Sequence, residues 1–590
     1  MNNASLELGG TNWAEKDGNI LGYSVGDTSG KYSPQEFTFA RGSNLSATRI
    51  DRAGLIVKGR ENLLLYSNDF SNAAWSTSPI TLTSGQSGYD GSNDAWEAEV
   101  AVNGNYQSLI QATNTSGLIT NSIYAKAGNS NFLGITDSGG SGGSNCIFDL
   151  TDGSISYQNG GDFIETSSES IGNGWYRLKV THQGTSPNYA LWFVADASNS
   201  TQGTAGDSVF IQDAQQESSL VASPYIESGA TNGTAGVLEN TPRLNYTTGV
   251  ANPYLLLEPS RTNLFSQSEY FGSSYWTKSG ASVVSGFTSP EGLSNAYKLV
   301  EDTSTGGHQI FRRIVVTATD NYASLYAKPS GRDWIVLYDT YRDQGRYFNI
   351  STGVIGGVYR FAPVSEFIEP FQNGYYRIGI GVTSSTIDYQ LQVLLADSDG
   401  GAVYTGDGTS GAYIYGAQLE AGSYPTSYIP TYSVSATRAQ DVCNKLDASD
   451  LIGTEFTLFF DGYQSIESQY SRYIVLKGTA GTYVNFISIE TNPNNKVGVN
   501  VNAGSSVFTA TTQRTSGERL KMALRCKDND FAFYINGVLI KSQTSGSVPV
   551  TSDLYLGYYT DYAENYNVIN QTQIYKEALT NAELATLTTI

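Results

Sequence analysis

The sequence predicts an all-β protein made of tandem antiparallel β-sandwich or jelly-roll domains with a short C-terminal helix. The composition favours strands and turns, with 63 Gly, 41 Tyr, 12% aromatic and only 15% charged residues among 590. Short apolar or alternating runs are separated by clusters of Gly, Asn, Asp and Ser, and long helical periodicity is missing. An internal repeat of about 170 residues built from such runs is typical of a two-sheet sandwich.

The repeat is visible around two tryptophans. Trp75 and Trp276 lie 201 positions apart, and the residues around them match. The match continues in the same order at nearly the same offset, in segments 62–75 with 263–276, 124–126 with 326–328, 173–177 with 373–377, and 214–217 with 417–420. Several matches in one order indicate two copies of one unit. We predict module 1 at 59–230, a linker at 231–258 and module 2 at 259–432.

The rest of the chain does not share the repeat. Residues 433–590 predict a third sandwich, in which Asn536-Gly537 lies between two strand-like runs and supplies the positive φ angles of a type I′ hairpin turn. Thr580 and Glu583 form a capping-box pattern that predicts the start of the C-terminal helix. Residues 1–58 are rich in Gly, lack a clear core pattern and are too few for an independent sandwich, so we predict an anchoring segment that docks on a partner.

Net charge, the length of apolar runs and cysteine spacing argue against several classes of function. The net charge of −21 disfavours binding to nucleic acid and to anionic membrane surfaces. No apolar run approaches the roughly 18 residues needed to span a bilayer, and the N-terminus lacks the pattern of a secretory signal. The three cysteines, Cys146, Cys443 and Cys526, are too widely spaced for a disulfide framework or a zinc knuckle. An extracellular composition without an export signal favours a virion protein that folds in a host cytoplasm and leaves by lysis, or a protein of a signal-less secretion route.

Short motifs at the predicted boundaries carry a family resemblance. The motifs are Ala47-Thr48-Arg49, Thr241-Pro242-Arg243, Arg261-Thr262-Asn263-Leu264 and Ala436-Thr437-Arg438. They resemble the segments that join carbohydrate-binding-module-like jelly rolls in head-fibre and tail-fibre proteins of tailed bacteriophages. The third unit is similar to the laminin-G/concanavalin-like sandwich over residues 520–539 and 578–584. The resemblance implies structural and glycan-facing roles, and no catalytic residue is carried over.

Catalytic patterns are scarce. His182 and His308 are the two histidines of the chain, which leaves little for metal or triad chemistry. Residues 139–143 match Gly-x-Ser-x-Gly but lie in a Gly/Ser run with no helix after it. Glycosidases need two carboxylates across the sugar bond, and the Glu-x-Asp-x-x-Glu motif of laminarinase-like sandwiches is missing. We predict that the protein is not an enzyme; a virion polysaccharide depolymerase stays open as an alternative, because 55 acidic residues leave room for a close pair.

Two stretches combine tyrosines with residues that bind sugar hydroxyls. Sugar rings stack their C–H faces on aromatic rings, while Asp and Arg side chains bond the hydroxyls. The glycan-binding candidates are Tyr341, Arg342, Asp343 and Tyr347 in the first stretch and Tyr558, Tyr559, Asp561 and Tyr562 in the second. The alternative is that half of each set faces the core and the rest contacts a neighbouring subunit. Trp75, Trp276, Trp175 and Tyr375 recur in both copies and are predicted core residues.

We predict no cofactor, with a structural calcium ion left open as the one exception. Jelly rolls can hold Ca²⁺ on carboxylate and carbonyl oxygens. The candidates are Asp69 and Glu269, near the start of each module, and Asp207 and Asp407. Surface acids with no metal are the alternative.

The function predicted from these observations is reversible adhesion by a structural fibre protein of a phage virion, on its head or tail. The expected partners are capsid, portal or tail proteins, host surface glycans and further copies of the chain. Weak contacts multiplied over many copies would supply the affinity. A cellular adhesin that binds carbohydrate and leaves the cell without a signal sequence is the alternative from another class.

Overall fold

The computed structural model confirms the all-β prediction. It describes residues 4–10, 13–16, 19–25, 32–43, 45–136, 144–160, 163–247, 250–383, 387–463, 471–478, 484–492, 496–515, 517–557 and 566–590. In this part of the chain regular structure is almost entirely antiparallel β-sheet, joined by one α-helix at Asn581–Leu587 and 3-10 turns at Gln372–Gly374 and Ser449–Leu451. No helix among these residues is long and apolar enough to cross a bilayer.

Module 1 consists of two six-stranded antiparallel sheets. The first sheet contains, in spatial order, Phe163–Gly172, Trp175–Gly184, Gly117–Ala127, Ser208–Glu217, Ala95–Val100 and Ile80–Gln86. The second sheet contains Ile155–Gln158, Asn145–Asp149, Phe132–Thr136, Asn188–Ala195, Ser108–Thr113 and Ser76–Ser78. One apolar cluster with members from both sheets forms the core, as the sandwich prediction requires.

Module 2 repeats this topology strand for strand. Its first sheet contains Ser365–Pro370, Tyr376–Thr383, Asp320–Ser330, Gly411–Ala421, Ala296–Glu301 and Ala281–Phe287. Its second sheet contains Val354–Arg360, Gln344–Asn349, Trp334–Asp339, Asp388–Ala396, Gln309–Val315 and Thr277–Ser279. Short ribbons pair Gly104–Asn105 with Gln202–Gly203 and Thr305–Gly306 with Tyr404–Thr405 at equivalent places. Other two-stranded ribbons join Thr48–Ile50 to Ile56–Lys58, Arg60–Asn62 to Gly233–Ala235, and Arg261–Asn263 to Ala436–Arg438.

The recurring tryptophans are core residues, as predicted. Trp75 and Trp276 are buried among the apolar residues of their modules. Their indole N–H groups donate to main-chain oxygens nine residues upstream, Tyr66 O at 3.0 Å and Gln267 O at 2.8 Å. A buried Trp needs such a partner, so the repeated ring fixes the entry of each module.

A repeated asparagine explains another part of the duplicated sequence. Asn62 Nδ2 donates to Ala214 O at 3.1 Å and to Ile226 O at 2.9 Å. Asn263 Nδ2 makes the same two bonds at the same distances in module 2, to main-chain oxygens of residues 417 and 429. Both side chains are fully buried. The repeated asparagine therefore joins the start of each module to two later segments of the same module, and these bonds satisfy its buried amide group.

The C-terminal sandwich includes strands from both ends of the chain. One sheet contains Val538–Gln543, Asp530–Ile535, Arg519–Lys527, Phe456–Tyr463 and Asn567–Tyr575, and the last of these also pairs with Leu6–Gly9 and Tyr254–Leu257. The other contains Tyr32–Ala40, Val442–Lys445, Asp553–Leu556, Ser471–Lys477, Asn485–Asn492, Lys496–Ala503 and Ser506–Gln513. Further short strands at Ala14–Lys16, Asn19–Val25 and Leu244–Asn245 extend the pairing.

This arrangement changes the picture of residues 1–58 and 231–258. Leu6, Leu8 and Phe37 belong to the same apolar core as Phe456 and Ile574. Leu6 lies directly opposite Ile574 in the sheet. The strands between Leu6 and Ala40, and part of the predicted linker, are thus built into the C-terminal sandwich; an anchoring role for 1–58 stays a prediction.

Local signals in the C-terminal unit are confirmed. Asn536 and Gly537 have φ angles of 49° and 80°, and the flanking strands pair across them, as a type I′ turn requires. Thr580 accepts from the Glu583 N–H while the Glu583 carboxylate accepts from the Thr580 N–H, which completes the capping box.

The three cysteines are free and buried. Cys146 lies in the core of module 1, and Cys443 and Cys526 lie in the core of the C-terminal sandwich. Burial raises the pKa of the Cys146 thiol to about 12. Such thiols stay protonated and unreactive at neutral pH.

A buried charge cluster, the arginine junction, lies where module 2 meets the C-terminal sandwich. Its members are Arg41, Arg243, Arg438, Glu258 and Asp441, all almost fully buried. Asp441 pairs with Arg41 at 3.0 Å and also with Arg243, while Glu258 pairs with Arg438 at 3.0 Å. Two of these arginines come from the boundary motifs noted in the sequence, so those motifs encode ion pairs that join domains.

A second cluster, the lysine junction, joins the modules to each other. Its members are Lys58, Arg60, Glu217, Glu269 and Glu291. Lys58 Nζ lies 2.5 Å from Glu269 and 2.9 Å from Glu291, with the lysine side chain only 2% exposed. Burial alone would lower the pKa of Lys58, but the two carboxylates outweigh it and raise that pKa above its ordinary value.

Candidate functional site

The outer face of the second sheet of module 2 carries a patch of aromatic side chains. Successive side chains of a strand point to opposite faces, so Ile335 and Leu337 enter the core while Trp334, Val336 and Tyr338 point away from it. The residues outside the core form a separate cluster with Tyr347 and Tyr359. We call Trp334, Tyr338, Tyr347 and Tyr359 the tyrosine platform.

The platform rings contact each other edge to face. The ring centroids of Tyr338 and Tyr359 are 4.9 Å apart, and those of Tyr347 and Tyr359 are 5.7 Å apart. Gly345 lies directly opposite both Tyr338 and Tyr359 in the sheet. A Cβ at Gly345 would lie only 3.1 Å from the Tyr338 Cβ, so glycine lets the two rings meet over the sheet. The pairs hold the rings in fixed orientations.

Polar and exposed groups surround the platform. The Tyr338 hydroxyl donates to Asp343 Oδ1 at 2.5 Å, and the Arg360 guanidinium lies 5.5 Å from the Tyr359 ring centre. Phe361 is 64% exposed, and its N–H donates to the Asp343 carbonyl at 3.0 Å. The site thus combines aromatic surface with a carboxylate and a guanidinium at its edge.

A second exposed ring lies beside the platform. Tyr341 is 41% exposed, and the Arg313 guanidinium lies 5.3 Å from its ring centre. Arg313 also pairs with Asp388 at 2.8 Å. Stacking and ion pairing together fix the guanidinium next to the ring.

The four candidates of the first predicted stretch therefore have different surroundings. Tyr341 is exposed, and Tyr347 is nearly buried on the outer face. Asp343 receives the Tyr338 hydroxyl bond and has a φ of 54°, a left-handed conformation that Asp tolerates. The Arg342 side chain is only 2% exposed and pairs with Asp339 at 2.7 Å, so it braces the loop and does not reach the face. Arg342 therefore has no part in the site as the structure presents it.

The second predicted stretch cannot be described in the same way. Tyr558, Tyr559, Asp561 and Tyr562 lie outside the described residues. Tyr566, at the end of that stretch, contacts Tyr424 of module 2 edge to face at 5.7 Å. These four glycan-binding candidates stay predictions.

The equivalent face of module 1 has a different chemistry. Sheet register places Phe132 where module 2 has Trp334, Thr136 where it has Tyr338, and Ile147 where it has Tyr347. Phe193 and Tyr157 complete an outer cluster there. Duplication kept the strands but left module 1 with fewer hydroxyls on this face, so the platform belongs to module 2.

Two of the predicted calcium ligands have other roles in the structure. Glu269 holds Lys58 and accepts from the Tyr428 hydroxyl at 2.9 Å. Asp407 accepts from the N–H and hydroxyl groups of Ser410 and Thr409, and these bonds hold its pKa well below its usual range. Both carboxylates are thus satisfied by protein donors.

The remaining two candidates are also bonded locally. Asp69 accepts from the Ser71 hydroxyl at 2.7 Å, and Asp207 accepts from the Thr204 N–H at 2.9 Å. The position equivalent to Glu269 in module 1 is Asn68, one residue before Asp69, because Ser67 and Ser268 make the same bonds. Across the described residues no group of three or more His, Cys, Asp or Glu side chains is placed to hold a metal ion. Calcium binding stays a prediction.

Three platform-side residues were missed by sequence reasoning. Tyr359, Arg360 and Phe361 follow the predicted stretch after an intervening turn. The sequence feature that could have indicated them is the alternation of side-chain direction along the edge strand Val354–Arg360. In the sheet, this strand places Tyr359 opposite Gly345. Gly356 and Gly357 interrupt that alternation and hide it.

Comparisons with known proteins give the following. No protein-family model and no curated protein matches the chain. Similar solved structures include a Ruminococcus gnavus sialidase module, CBM40, bound to α2,3 sialyllactose, at 16% identity and a TM-score of 0.22, covering 25% of this chain and 91% of that one. Domains LG4–5 of the mouse laminin α1 chain give 11% identity and a TM-score of 0.18, covering 48% and 88%. The CBM22 tandem of Paenibacillus barcinonensis Xyn10C gives 10% identity and a TM-score of 0.21, covering 65% and 100%. At these scores, function has to be argued from the residues of this chain.

Proposed function

We propose that the protein is a non-catalytic adhesin that binds glycans on the tyrosine platform of module 2. The observation that carries the proposal is a set of fixed aromatic rings on a sheet face outside the core, with Asp343 and Arg360 at its edge. Trp334 and Tyr359 are half-buried there, whereas Tyr338 and Tyr347 are buried and pack against Tyr359. Rings offer stacking surface to the C–H face of a sugar, and the edge groups bond its hydroxyls. Both parts of sugar recognition therefore meet on one face.

Binding without cleavage is the favoured form of the proposal. Asp343, a carboxylate at the edge of the platform, already accepts the Tyr338 hydroxyl. Asp399, a second carboxylate beside the platform, accepts from the Gly357 N–H at 2.7 Å, and Asp388 pairs with Arg313. Glycoside hydrolysis needs two carboxyl groups across the scissile bond, one of them able to give up a proton. Purified protein that releases reducing ends from host polysaccharide would instead support a depolymerase.

Tyr359→Ala tests the platform. We expect at least about a tenfold loss of affinity for any glycan that the wild-type protein binds on an array of host-surface polysaccharides, because the central ring of the stack is removed. The core should be unaffected, since Tyr359 belongs to the outer cluster. Affinity is measured by calorimetry on the array hits.

Tyr157→Ala is the matched control. Tyr157 lies on the corresponding edge strand of module 1. Equal losses in the two variants, or an unchanged affinity in Tyr359→Ala, would contradict a site on module 2.

We further propose that this adhesin is a fibre-type protein of a tailed-phage virion, present as a homo-oligomer that is assembled in the host cytoplasm and released by lysis. The support is the boundary motifs of the sequence. Thr241-Pro242-Arg243 and Ala436-Thr437-Arg438 place their arginines in the arginine junction, which suits a fibre whose domains must keep a fixed arrangement under load. Attachment to capsid, portal or tail proteins is part of this proposal.

Purified virus particles test the location. We expect mass spectrometry of gradient-purified particles to find this polypeptide in a fixed ratio to the major capsid protein. Its detection only in the soluble lysate, or on uninfected cells, would overturn the virion assignment and favour a cellular adhesin. Glycan binding by the isolated protein is independent of that result.

A further inference from the structure

The lysine junction also forms a pocket in module 2, and a lysine side chain of the same polypeptide occupies it. The Lys58 ammonium enters module 2 and lies 5.3 Å from the ring centre of Tyr415 and 5.8 Å from that of Tyr428. Glu269 and Glu291 complete the cage. The segment that carries Lys58 lies along a loop of module 2, where the Ile56 N–H donates to the residue 290 carbonyl at 3.1 Å. Module 2 thus recognises a lysine on an extended segment.

Module 1 has the same pocket position, because the loops and bulges that form it are duplicated. The loop bond from the Gly88 N–H to the Ser92 carbonyl, 2.9 Å, recurs in module 2 between residues 289 and 293 at 2.8 Å. This places Asp90 at the position of Glu291. The bond between Ser67 Oγ and Tyr225 Oη, 2.6 Å, recurs between residues 268 and 428 at 2.7 Å, so Tyr225 takes the place of Tyr428.

The second carboxylate of the module 1 pocket comes from a different strand. Both modules have a bulge with positive φ, at Asp213 (54°) and Gly416 (63°). Asp213 is nearly buried and accepts from the Tyr89 hydroxyl at 2.9 Å. Asp213 thus supplies the carboxylate beside Tyr225 that Glu269 supplies beside Tyr428.

A neighbouring segment of the chain covers the loop of the module 2 pocket, whereas the equivalent loop of module 1 is uncovered. A Cβ at Gly292 would meet Leu55 at 3.4 Å, but a Cβ at the equivalent Gly91 would meet nothing within 4 Å. Asp90 and Asp94 are exposed, and both accept from the neutral side-chain amide of Gln212, at 3.4 Å and 2.8 Å. Within the described part of the chain, no Lys, Arg or His forms an ion pair with either of them or with Asp213. Burial, together with the neighbouring acids, raises the pKa of Asp213 to about 6, as expected for a carboxylate without a cation.

We propose that the pocket of module 1, formed by Asp90, Asp213, Tyr89 and Tyr225, binds a lysine side chain on an extended segment of a partner protein. Two of these positions, those of Asp90 and Tyr225, are the ones at which Glu291 and Tyr428 contact the Lys58 ammonium in module 2, which is the independent observation that points to this ligand. Carboxylates and tyrosine rings together select an ammonium group over a neutral one. The described acids are not placed to hold a metal ion, which favours the amine.

A peptide copied from the chain tests the proposal. The probe is residues 53–60, Ala-Gly-Leu-Ile-Val-Lys-Gly-Arg, acetylated and amidated at its ends so that its lysine is the only amine. The peptide is cross-linked to the full-length protein with a zero-length carbodiimide, and the adducts are mapped by mass spectrometry. We expect amide links at Asp90, Asp94 or Asp213 to exceed the average over the other acidic residues by roughly tenfold, a preference of about 1.4 kcal/mol.

Asp90→Asn/Asp213→Asn is the decisive variant. It keeps the shape of both side chains, and Asn tolerates the left-handed backbone at 213. We expect this variant to lose the enrichment at the remaining Asp94. With an isotope-labelled probe, an excess of unlabelled wild-type peptide should suppress the labelled links, and a peptide with norleucine in place of lysine should not. Adducts spread evenly over the acidic surface, or equal suppression by both peptides, would overturn the proposal.

Discussion

Asp441→Asn is expected to lower the free energy of unfolding by about 3–5 kcal/mol, because it leaves the arginines of a buried cluster short of one counter-charge. Asp441 pairs with Arg41 and Arg243, and its carboxylate also accepts from the Glu258 N–H at 2.9 Å. Without it, Glu258 is the one carboxylate of the cluster that remains for its three arginines. Burial and the neighbouring arginines already lower the pKa of Arg41 to about 10, despite the pull of Asp441, yet all three stay charged at neutral pH.

The loss of stability should appear first in the segments around the arginine junction, before the whole protein unfolds. The Leu256 N–H donates to the Arg243 carbonyl at 3.0 Å. We therefore expect faster amide hydrogen exchange at Leu256 in the variant, together with a lower midpoint of urea denaturation. Glu36→Gln is the control, since its pair with Lys16 is exposed and contributes at most about 1 kcal/mol. Similar losses in the two variants would show that the junction does not hold the domains together.

The junctions mark the limit of what sequence patterns predict about the fold. The repeat, the Asn536-Gly537 hairpin and the Thr580 cap are local or periodic signals, and all are confirmed. The pairing of Leu6 with Ile574 joins the two ends of the chain through a four-residue strand, which is too short for a distinctive pattern. A single Arg such as Arg243 reads as a surface residue until its partners, far away in the sequence, are known.

The sequence likewise predicts part of the candidate site and misses the rest. The sequence drew attention to the stretch that contains Tyr338, Tyr341 and Tyr347, since tyrosines and charges are dense there. Strand alternation could have separated Tyr338 and Tyr347 from the core residues. It could not show that Arg342 turns inward to Asp339, because Arg342 lies in a loop, where side-chain direction has no period.

Duplication explains why module 2 has a pocket that holds Lys58 while module 1 has an equivalent pocket without a lysine in the described part of the chain. Each module inherited the same loop and bulge, but only module 2 has a neighbouring segment that places a lysine in the pocket. The Asn62 and Asn263 closures stayed identical in the two modules, since any change there would leave buried polar groups unpaired. Positions on the outer face of the second sheet, such as Tyr347 and its counterpart Ile147, have diverged. Function should therefore be sought where the copies differ.

Lys58→Met is expected to cost about 3–5 kcal/mol at pH 8, because two buried carboxylates lose their main counter-charge. Burial alone would raise the pKa of Glu291; Lys58 and Arg60 outweigh it and hold that pKa below its ordinary value. In the wild-type protein, the stability from Glu291 is therefore present above the ordinary Glu pKa and falls only in more acidic solution. In the variant, Glu291 gains a proton more readily, so the deficit should shrink as the pH falls from 8 to 5.

Adding Glu269→Gln to Lys58→Met supplies the matched control. It removes one of the unpaired charges, so the double variant should be more stable than Lys58→Met at pH 8, and its deficit should change less with pH. Urea denaturation at both pH values measures the difference. A deficit in Lys58→Met that does not depend on pH would mean that packing of the lysine stem, and not its charge, stabilises the contact between the modules, because methionine preserves most of that stem.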